Sequence, residues 1–233
     1  MGNATSSIKL SKFKLKNITV FADRESTIRE IPETEFTEIS DSNIFCVPDV
    51  DGGIVGLRLW PGALRLAAYL EELYFASIEI SKKASVLELG CGVGLPGLTL
   101  AKLGMHVTLT DRESGRIPVE EAIRANGVDA VFETFDWGSG KDLARFSANK
   151  FDLVIASEVI YSEEMAPLLN ALLAVSSGNT PLIIIQYTTR SSEDEKYFLE
   201  KILAHFNIVE QRGIFIHLVR KYFICFAFIH IYS

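Results

Sequence analysis

The residues best suited to chemistry fall in one short segment, Val86-Leu-Glu-Leu-Gly-Cys-Gly-Val-Gly-Leu-Pro-Gly97. An apolar run reaches Glu88, and Gly90, Gly92, Gly94 and Gly97 follow at close spacing. Glycines at this density suit a backbone that bends sharply and comes close to a ligand, because a Cβ would obstruct both. A helix that starts directly after the turn would aim its unpaired amides at that ligand. A second apolar run, His106-Val-Thr-Leu-Thr-Asp111, ends on a carboxylate. An acid about 20 positions beyond a glycine turn is well placed to grip ribose hydroxyls. The chemistry is nucleotide binding.

Which nucleotide depends on Glu88. Gly92-Val-Gly-Leu-Pro-Gly97 fits the dinucleotide pattern G-x-G-x-x-G. A carboxylate just before the turn is nevertheless a poor neighbour for a pyrophosphate and a good one for a cationic amino acid. S-adenosylmethionine offers an ammonium and a sulfonium and carries no phosphate. A dehydrogenase, and a strand-turn-helix without any ligand, are the alternatives. Tyr197-Phe-Leu-Glu-Lys201 also fits the Tyr-x-x-x-Lys pattern of some dehydrogenases. It lies in the last expected helix, where an amphipathic surface explains it better.

The elements around the turn alternate. Strands are expected at 84–89, 106–110, 128–134, 151–156 and 181–186, with helices at 96–103, 116–125, 163–175 and 193–205. Pro96 suits a helix start, and Asn126-Gly127 a helix stop. A late antiparallel strand is expected over 214–220, paired with 207–210. Continuous apolar strands separated by helices imply an α/β three-layer sandwich with a mostly parallel sheet. Right-handed crossovers place all the strand C-termini on one edge, where ligands bind. Glu88, Asp111, Asp136, Ser157 and Glu158 all fall at or just past such ends. Residues 1–80 differ in character and read as an N-terminal β-rich extension packed on the 81–233 domain. Within it, strands are expected at 12–20 and 54–59, a turn at Asp51-Gly-Gly53 and a helix over 64–73.

Composition narrows the function classes. The chain has 233 residues, 48% hydrophobic and 23% charged, in the globular range for one domain. A net charge of −7 argues against a nucleic-acid partner held by phosphate contacts. Cys46, Cys91 and Cys225 are unclustered, which points to a reduced, cytoplasmic setting and no metal site. No apolar stretch reaches the roughly 18 residues a bilayer span requires.

Motifs and order together resemble the class I, seven-stranded S-adenosylmethionine-dependent methyltransferases, and more closely methyltransferase family 16, many of whose members methylate protein lysines. Leu57-Arg-Leu-Trp60-Pro-Gly-Ala63 resembles the family's tryptophan segment, and the resemblance implies that Trp60 helps to enclose the cofactor. It likewise implies that Gly90, Cys91 and Gly92, with Glu88 and Gly94 of the same turn, hold the methionine part. Asp111 would take the ribose, and Asp136-Trp137 would lie beside the adenine. Ser157-Glu158-Val-Ile-Tyr161 resembles the family's Asp/Glu-x-x-Tyr signature, with Ser157 lining the cofactor site. Glu158 and Tyr161 would be the catalytic pair, Glu158 orienting an incoming lysine amine and Tyr161 shaping its pocket. Glu stands where the family more often has Asp, one methylene shorter. Core packing is the alternative for each tryptophan, and a helix N-terminal carboxylate for Glu158. The expected enzyme is a methyltransferase acting on a protein lysine. A small-molecule methyltransferase and a cofactor-binding protein that acts by interaction are its rivals.

Two segments stand outside this frame. Tyr222–Tyr232 is almost wholly apolar, too short to cross a bilayer, and is read either as a final strand or as an extra segment. Met1-Gly2-Asn-Ala-Thr-Ser6 fits the N-myristoylation acceptor, with Lys9, Lys12, Lys14 and Lys16 close behind. One acyl chain plus a basic cluster would give peripheral membrane association; a plain strand of alternating Lys and apolar residues is the alternative. Acylation at Gly2 predicts an intact mass raised by one acyl chain in cells that can attach it. An unmodified mass from such cells rules it out.

Overall fold

The apolar strands divide their side chains between two layers of helix. The computed structural model describes residues 10–14, 19–23, 59–76, 81, 83–160, 165–179, 181–188 and 192–221. Within these lie β1 (Leu10–Lys14), β2 (Thr19–Asp23), α1 (Pro61–Phe75), β3 (Ser85–Leu89), α2 (Leu95–Lys102), β4 (His106–Asp111) and α3 (Arg116–Asn126). There follow β5 (Ala130–Thr134), α4 (Gly140–Ser147), β6 (Leu153–Ser157), α5 (Ala166–Val175), β7 (Leu182–Gln186), α6 (Ser192–Leu203), β8 (Phe206–Arg212) and β9 (Phe215–Arg220).

Seven strands form one sheet in the order β5-β4-β3-β6-β7-β9-β8. β3 to β7 are mutually parallel, and β9 runs antiparallel to both β7 and β8. Period-two alternation then sorts the core. Val86, Val107, Leu109, Leu153, Ile155 and Ile184 pack with the buried residues of α1, α2 and α3. Leu87, Leu89, Val154, Ala156, Ile183 and Ile185 pack with those of α4, α5 and α6. The three-layer α/β sandwich is therefore the observed fold. Chain order reverses between β3 and β6, which opens a crevice beyond their C-terminal ends.

The structure departs from the expected elements in two places. A single strand over 12–20 is replaced by two antiparallel strands, pairing Leu10 with Asp23 and Lys14 with Thr19. Asn17, a turn-favouring residue in the sequence between them, is the signal that lysine–apolar alternation masked. β2 lies beside α2 and α3. The helix α4 was not foreseen; Ser139 caps it, accepting from the Asp142 N–H at 3.3 Å. Phe146 of α4 is fully buried and stacks on Phe135 at 4.0 Å. The expected turn at 51–53, the strand over 54–58, Gly2, Tyr161 and the tail 222–232 lie outside the described residues.

Helix ends follow their sequence signals. α3 stops at Gly127, whose φ of 58° lets its N–H return to the carbonyls of Ile123 and Arg124. α1 starts at Pro61 and is pinned to the far strands by a buried polar chain. The Tyr69 hydroxyl pairs with His217 Nε2 at 2.8 Å, and the ring stacks on Phe215 at 4.1 Å. Glu210 Oε2 lies 3.4 Å from His217 Nδ1. Burial holds the His217 imidazole below its ordinary 6.5, in the neutral form.

A depressed folded-state pKa means that this contribution is present above about pH 6.5 and is lost as pH falls below it. Tyr69→Phe leaves a buried imidazole without its hydroxyl partner, at a cost of about 1–3 kcal/mol. Thermal melts from pH 8 to pH 5 should show both the lower Tm of the variant and the acid weakening of the wild type. Equal melting temperatures would remove the pin.

Candidate active site

Beneath the glycine turn lies a carboxylate. Glu88 shares its strand face with Val86, so alternation directs it towards α2 rather than the open edge. It is 1% exposed, and its Oε2 accepts the Gly97 N–H at 2.9 Å. Its Oε1 has no hydrogen-bond partner among the described residues. A Cβ on Gly97 would press into Leu109 and lie 2.5 Å from Glu88 Oε2, so α2 packs this close to the sheet only without one. Burial pushes the Glu88 carboxyl well up, and the nearby Asp111 pushes in the same direction.

The turn itself is stitched to the end of β4. The Cys91 N–H donates to Thr110 O at 2.8 Å, and Thr110 Oγ1 donates to Glu88 O at 2.6 Å. Gly90, Gly92 and Gly94 take φ of 63°, 53° and 78°, left-handed values that strain a residue carrying a Cβ. The Cys91 side chain is in the core, where burial pushes its thiol up, and its Sγ lies 3.7 Å from Gly92 O. Asp111 ends β4 half-buried; Oδ2 accepts the Gly92 N–H and Oδ1 the Arg112 N–H, both at 2.7 Å. Each carboxylate oxygen keeps a further acceptor direction. Just beyond, Arg116 clasps Glu113 through two hydrogen bonds of 2.6 and 2.9 Å, and with Thr134 holds its carboxyl down at about 2.

Asp136 and Trp137 follow β5. Asp136 is exposed, and its Oδ1 accepts the Gly138 N–H at 2.9 Å. Trp137 is half-buried against the α4–α6 core, and its indole crosses Gly90 so closely that a Cβ there would lie 3.3 Å from it. The same Cβ would lie 3.1 Å from Val159. These contacts bring the ends of β3, β5 and β6 together on one edge.

Ser157 ends β6 in register with Gln186 of β7. Glu158, the next residue, has φ 54° and is the one non-glycine with positive φ among the described residues. Its N–H donates to Gln186 O at 3.1 Å, and its Oε1 accepts from the Thr188 hydroxyl at 2.7 Å. Gln186 Nε2 lies 3.4 Å from the same oxygen. Gly62, two residues past Trp60 at the N-terminus of α1, sits against both side chains; a Cβ there would collide with Glu158 and Gln186. Trp60 is half-buried and precedes the first residue of α1. Gln186, Thr188 and Gly62 escaped the sequence reading. A polar residue closing the apolar run Leu182–Gln186 was the available signal, the same one that marked Asp111.

This geometry can be set beside known proteins. A profile of the lysine methyltransferase family matches residues 40–205. The chain belongs to that family. Protein N-lysine methyltransferase METTL21A of Xenopus tropicalis is a relative, 35% identical over 162 residues that cover 67% of this chain and 71% of that protein. EEF1A lysine methyltransferase 3 of Xenopus tropicalis is 28% identical, covering 65% and 66% respectively. Among solved structures, the fibrillarin/Nop5p complex matches with a TM-score of 0.52 at 18% identity, covering 70% of this chain and 84% of that one, which supports the fold. As a family member the chain is an S-adenosylmethionine-dependent methyltransferase. The residues present fit that cofactor, with spare acceptor directions on Asp111 and a Cβ-free cradle at Gly90 under an aromatic ring.

A raised folded-state pKa means that the Glu88 contribution is present below about pH 4.5 and is lost as pH rises above it. Glu88→Gln retains an acceptor for Gly97 without a buried ionisation. The family member so altered should melt at or above the wild type at pH 7, with the gap closing towards pH 4.5. Glu88→Ala should instead lose about 0.5–1.5 kcal/mol with the hydrogen bond. A Glu88→Gln protein less stable at pH 7 than the wild type overturns the assignment of a buried, protonation-prone acid.

Proposed function

We propose that the chain transfers a methyl group from S-adenosylmethionine to the side-chain amine of a lysine carried by a protein, with the crevice divided between cofactor and acceptor. One observation carries this reading: adjacent residues at the end of β6 face opposite ways. Val159 meets Gly90, close to Trp137, on the side of the glycine turn, while Glu158 meets Gly62, Gln186 and Thr188 on the side of β7 and α1. A cofactor half and an acceptor half thus meet at one peptide.

On the cofactor half, the Asp111 carboxylate accepts the ribose hydroxyls while retaining Gly92, and Trp137 walls the adenine side beside Asp136. Gly90, Gly92 and Gly94 let the main chain approach the methionine portion, and Ser157 lines the junction. Bound S-adenosylmethionine supplies an electrophilic methyl carbon on a sulfonium. An aromatic face near such a cation adds roughly 0.5–2 kcal/mol.

On the acceptor half, Glu158 accepts a hydrogen bond from the incoming amine and fixes its approach. A lysine ammonium has no lone pair and an ordinary pKa of about 10.4, so a proton must leave before transfer. Water reaching the half-exposed edge takes that proton. Positioning of the two reactants is the larger part of what these residues contribute. The METTL21A and EEF1A methyltransferase relatives support a protein acceptor.

Incubation with methyl-labelled S-adenosylmethionine and a matching cell extract should label a protein band. Asp111→Ala should weaken cofactor binding by about 10²-fold, since hydrogen bonds to a charged group are worth about 1.5–3 kcal/mol each. Glu158→Gln should bind cofactor normally and label protein at least about tenfold more slowly, the scale expected of a lost orienting contact. Label confined to small metabolites would replace the protein acceptor by a small one. No labelling at all would favour an interaction protein.

A further inference from the structure

We infer that Thr188 is a positioning residue, which acts through Glu158 to hold the acceptor carboxylate in its working orientation, with Gln186 and Gly62 completing the bracket. The inference rests on the acceptor role proposed for Glu158 and extends it to three residues on two other elements.

The geometry begins with the backbone. At φ 54° Glu158 leaves the strand direction of β6, and its N–H is tied to Gln186 O at 3.1 Å. A left-handed non-glycine residue persists only where its surroundings over-determine it. The surroundings here come from β7 and α1. The Thr188 hydroxyl donates to Glu158 Oε1 at 2.7 Å, a short, charge-assisted bond of the stronger kind. Gln186 Nε2 lies 3.4 Å from both Glu158 Oε1 and Thr188 Oγ1 and forms the weaker side of the bracket.

Gln186 is itself enclosed, with its Oε1 without a hydrogen-bond partner among the described residues. Strand alternation puts it on the face of Ile184, beneath α1, and it is completely buried. Gly62 then closes the space from above, since a Cβ on it would run into both the Gln186 amide and the Glu158 side chain. The carboxylate is thus anchored through its own main chain, gripped by one hydroxyl and fenced by a glycine. The Thr188 hydroxyl, with the Gln186 amide beside it, restricts the rotation of the Glu158 side chain that the backbone bond leaves free.

Because the Thr188 hydroxyl bonds to Glu158 and Gln186 among the described residues, its loss should be felt in turnover rather than in cofactor binding. Val has the shape of Thr without the hydroxyl, and Ser keeps the hydroxyl without the methyl. The full chain and its Thr188→Val, Thr188→Ser and Glu158→Ala variants would be compared by two readouts. One is the initial rate of label transfer from methyl-labelled S-adenosylmethionine into protein of a cell extract, at saturating cofactor and varied extract. The other is equilibrium binding of the same labelled cofactor.

Thr188→Val should lower the saturating rate roughly tenfold to a hundredfold, the scale of a misplaced reacting group, with cofactor affinity and Tm within twofold and about two degrees of wild type. Thr188→Ser should recover most of the rate. A Thr188→Val protein with the wild-type rate, while Glu158→Ala has lost it, overturns the positioning role and leaves the Glu158 reading standing. Equal loss in Thr188→Val and Thr188→Ser also overturns it, since the hydroxyl would then be irrelevant. Undiminished labelling by Glu158→Ala removes the underlying reading itself.

Discussion

The contact on which the site depends is the one between the buried Glu88 carboxylate and the first turn of α2. It sets how close the helix stands to the sheet and therefore where the glycine turn lies. Gly97 permits that approach, and Thr110 and Asp111 tie the turn sideways to β4. The Asp111 carboxylate and the turn are consequently one hydrogen-bonded unit. A ligand arriving at Asp111 meets a loop already in place, so little conformational entropy remains to be lost on binding.

The same sheet face collects the polar residues that an apolar core would be expected to exclude. Glu88, Gln186 and His217 all project towards α1 and α2, and all are at most 4% exposed. Two of them bond to a helix residue, Glu88 to the Gly97 N–H and His217 to the Tyr69 hydroxyl, while Gln186 fills the space that Gly62 leaves and its Oε1 has no hydrogen-bond partner among the described residues. Buried polar groups are costly unless paired, and the pairings here fix helix positions rather than adding to the apolar core. α1 gains most. Its N-terminus is set by Gly62 against the end of β7, and its middle by Tyr69 against β9.

Much of this was legible in the sequence. Uninterrupted apolar strands between helices gave the sheet, Asn126-Gly127 gave the end of α3, and Glu88, Asp111 and the glycines marked the crevice. Those signals are local, carried by residue type and spacing. What escaped was decided by tertiary contact. Strand parity sets Glu88 beneath the turn with one oxygen on the Gly97 N–H, a placement that residue type alone does not specify. Thr188 and Gln186 carry no motif, and only the pairing of β6 with β7 brings them to Glu158. Helix α4 is short and weakly apolar, held by a serine cap and by Phe146, so its periodicity was too brief to read. The lysine–apolar alternation near the N-terminus was read as one strand because period-two patterns do not reveal where a chain reverses.

Glu158 has a consequence for how this chain can change. Its left-handed backbone costs about 1–2 kcal/mol relative to a glycine in the same place, so the substitution that would most relax the fold at this point is also the one that deletes the carboxylate. Under the acceptor role proposed for Glu158, selection for stability and selection for turnover pull in opposite directions at this codon. A lineage that lost methyl transfer and kept only cofactor binding would be free to settle the conflict. Glycine at 158 beside an intact Asp111 and glycine turn would be the mark left in a descendant that had stopped being an enzyme.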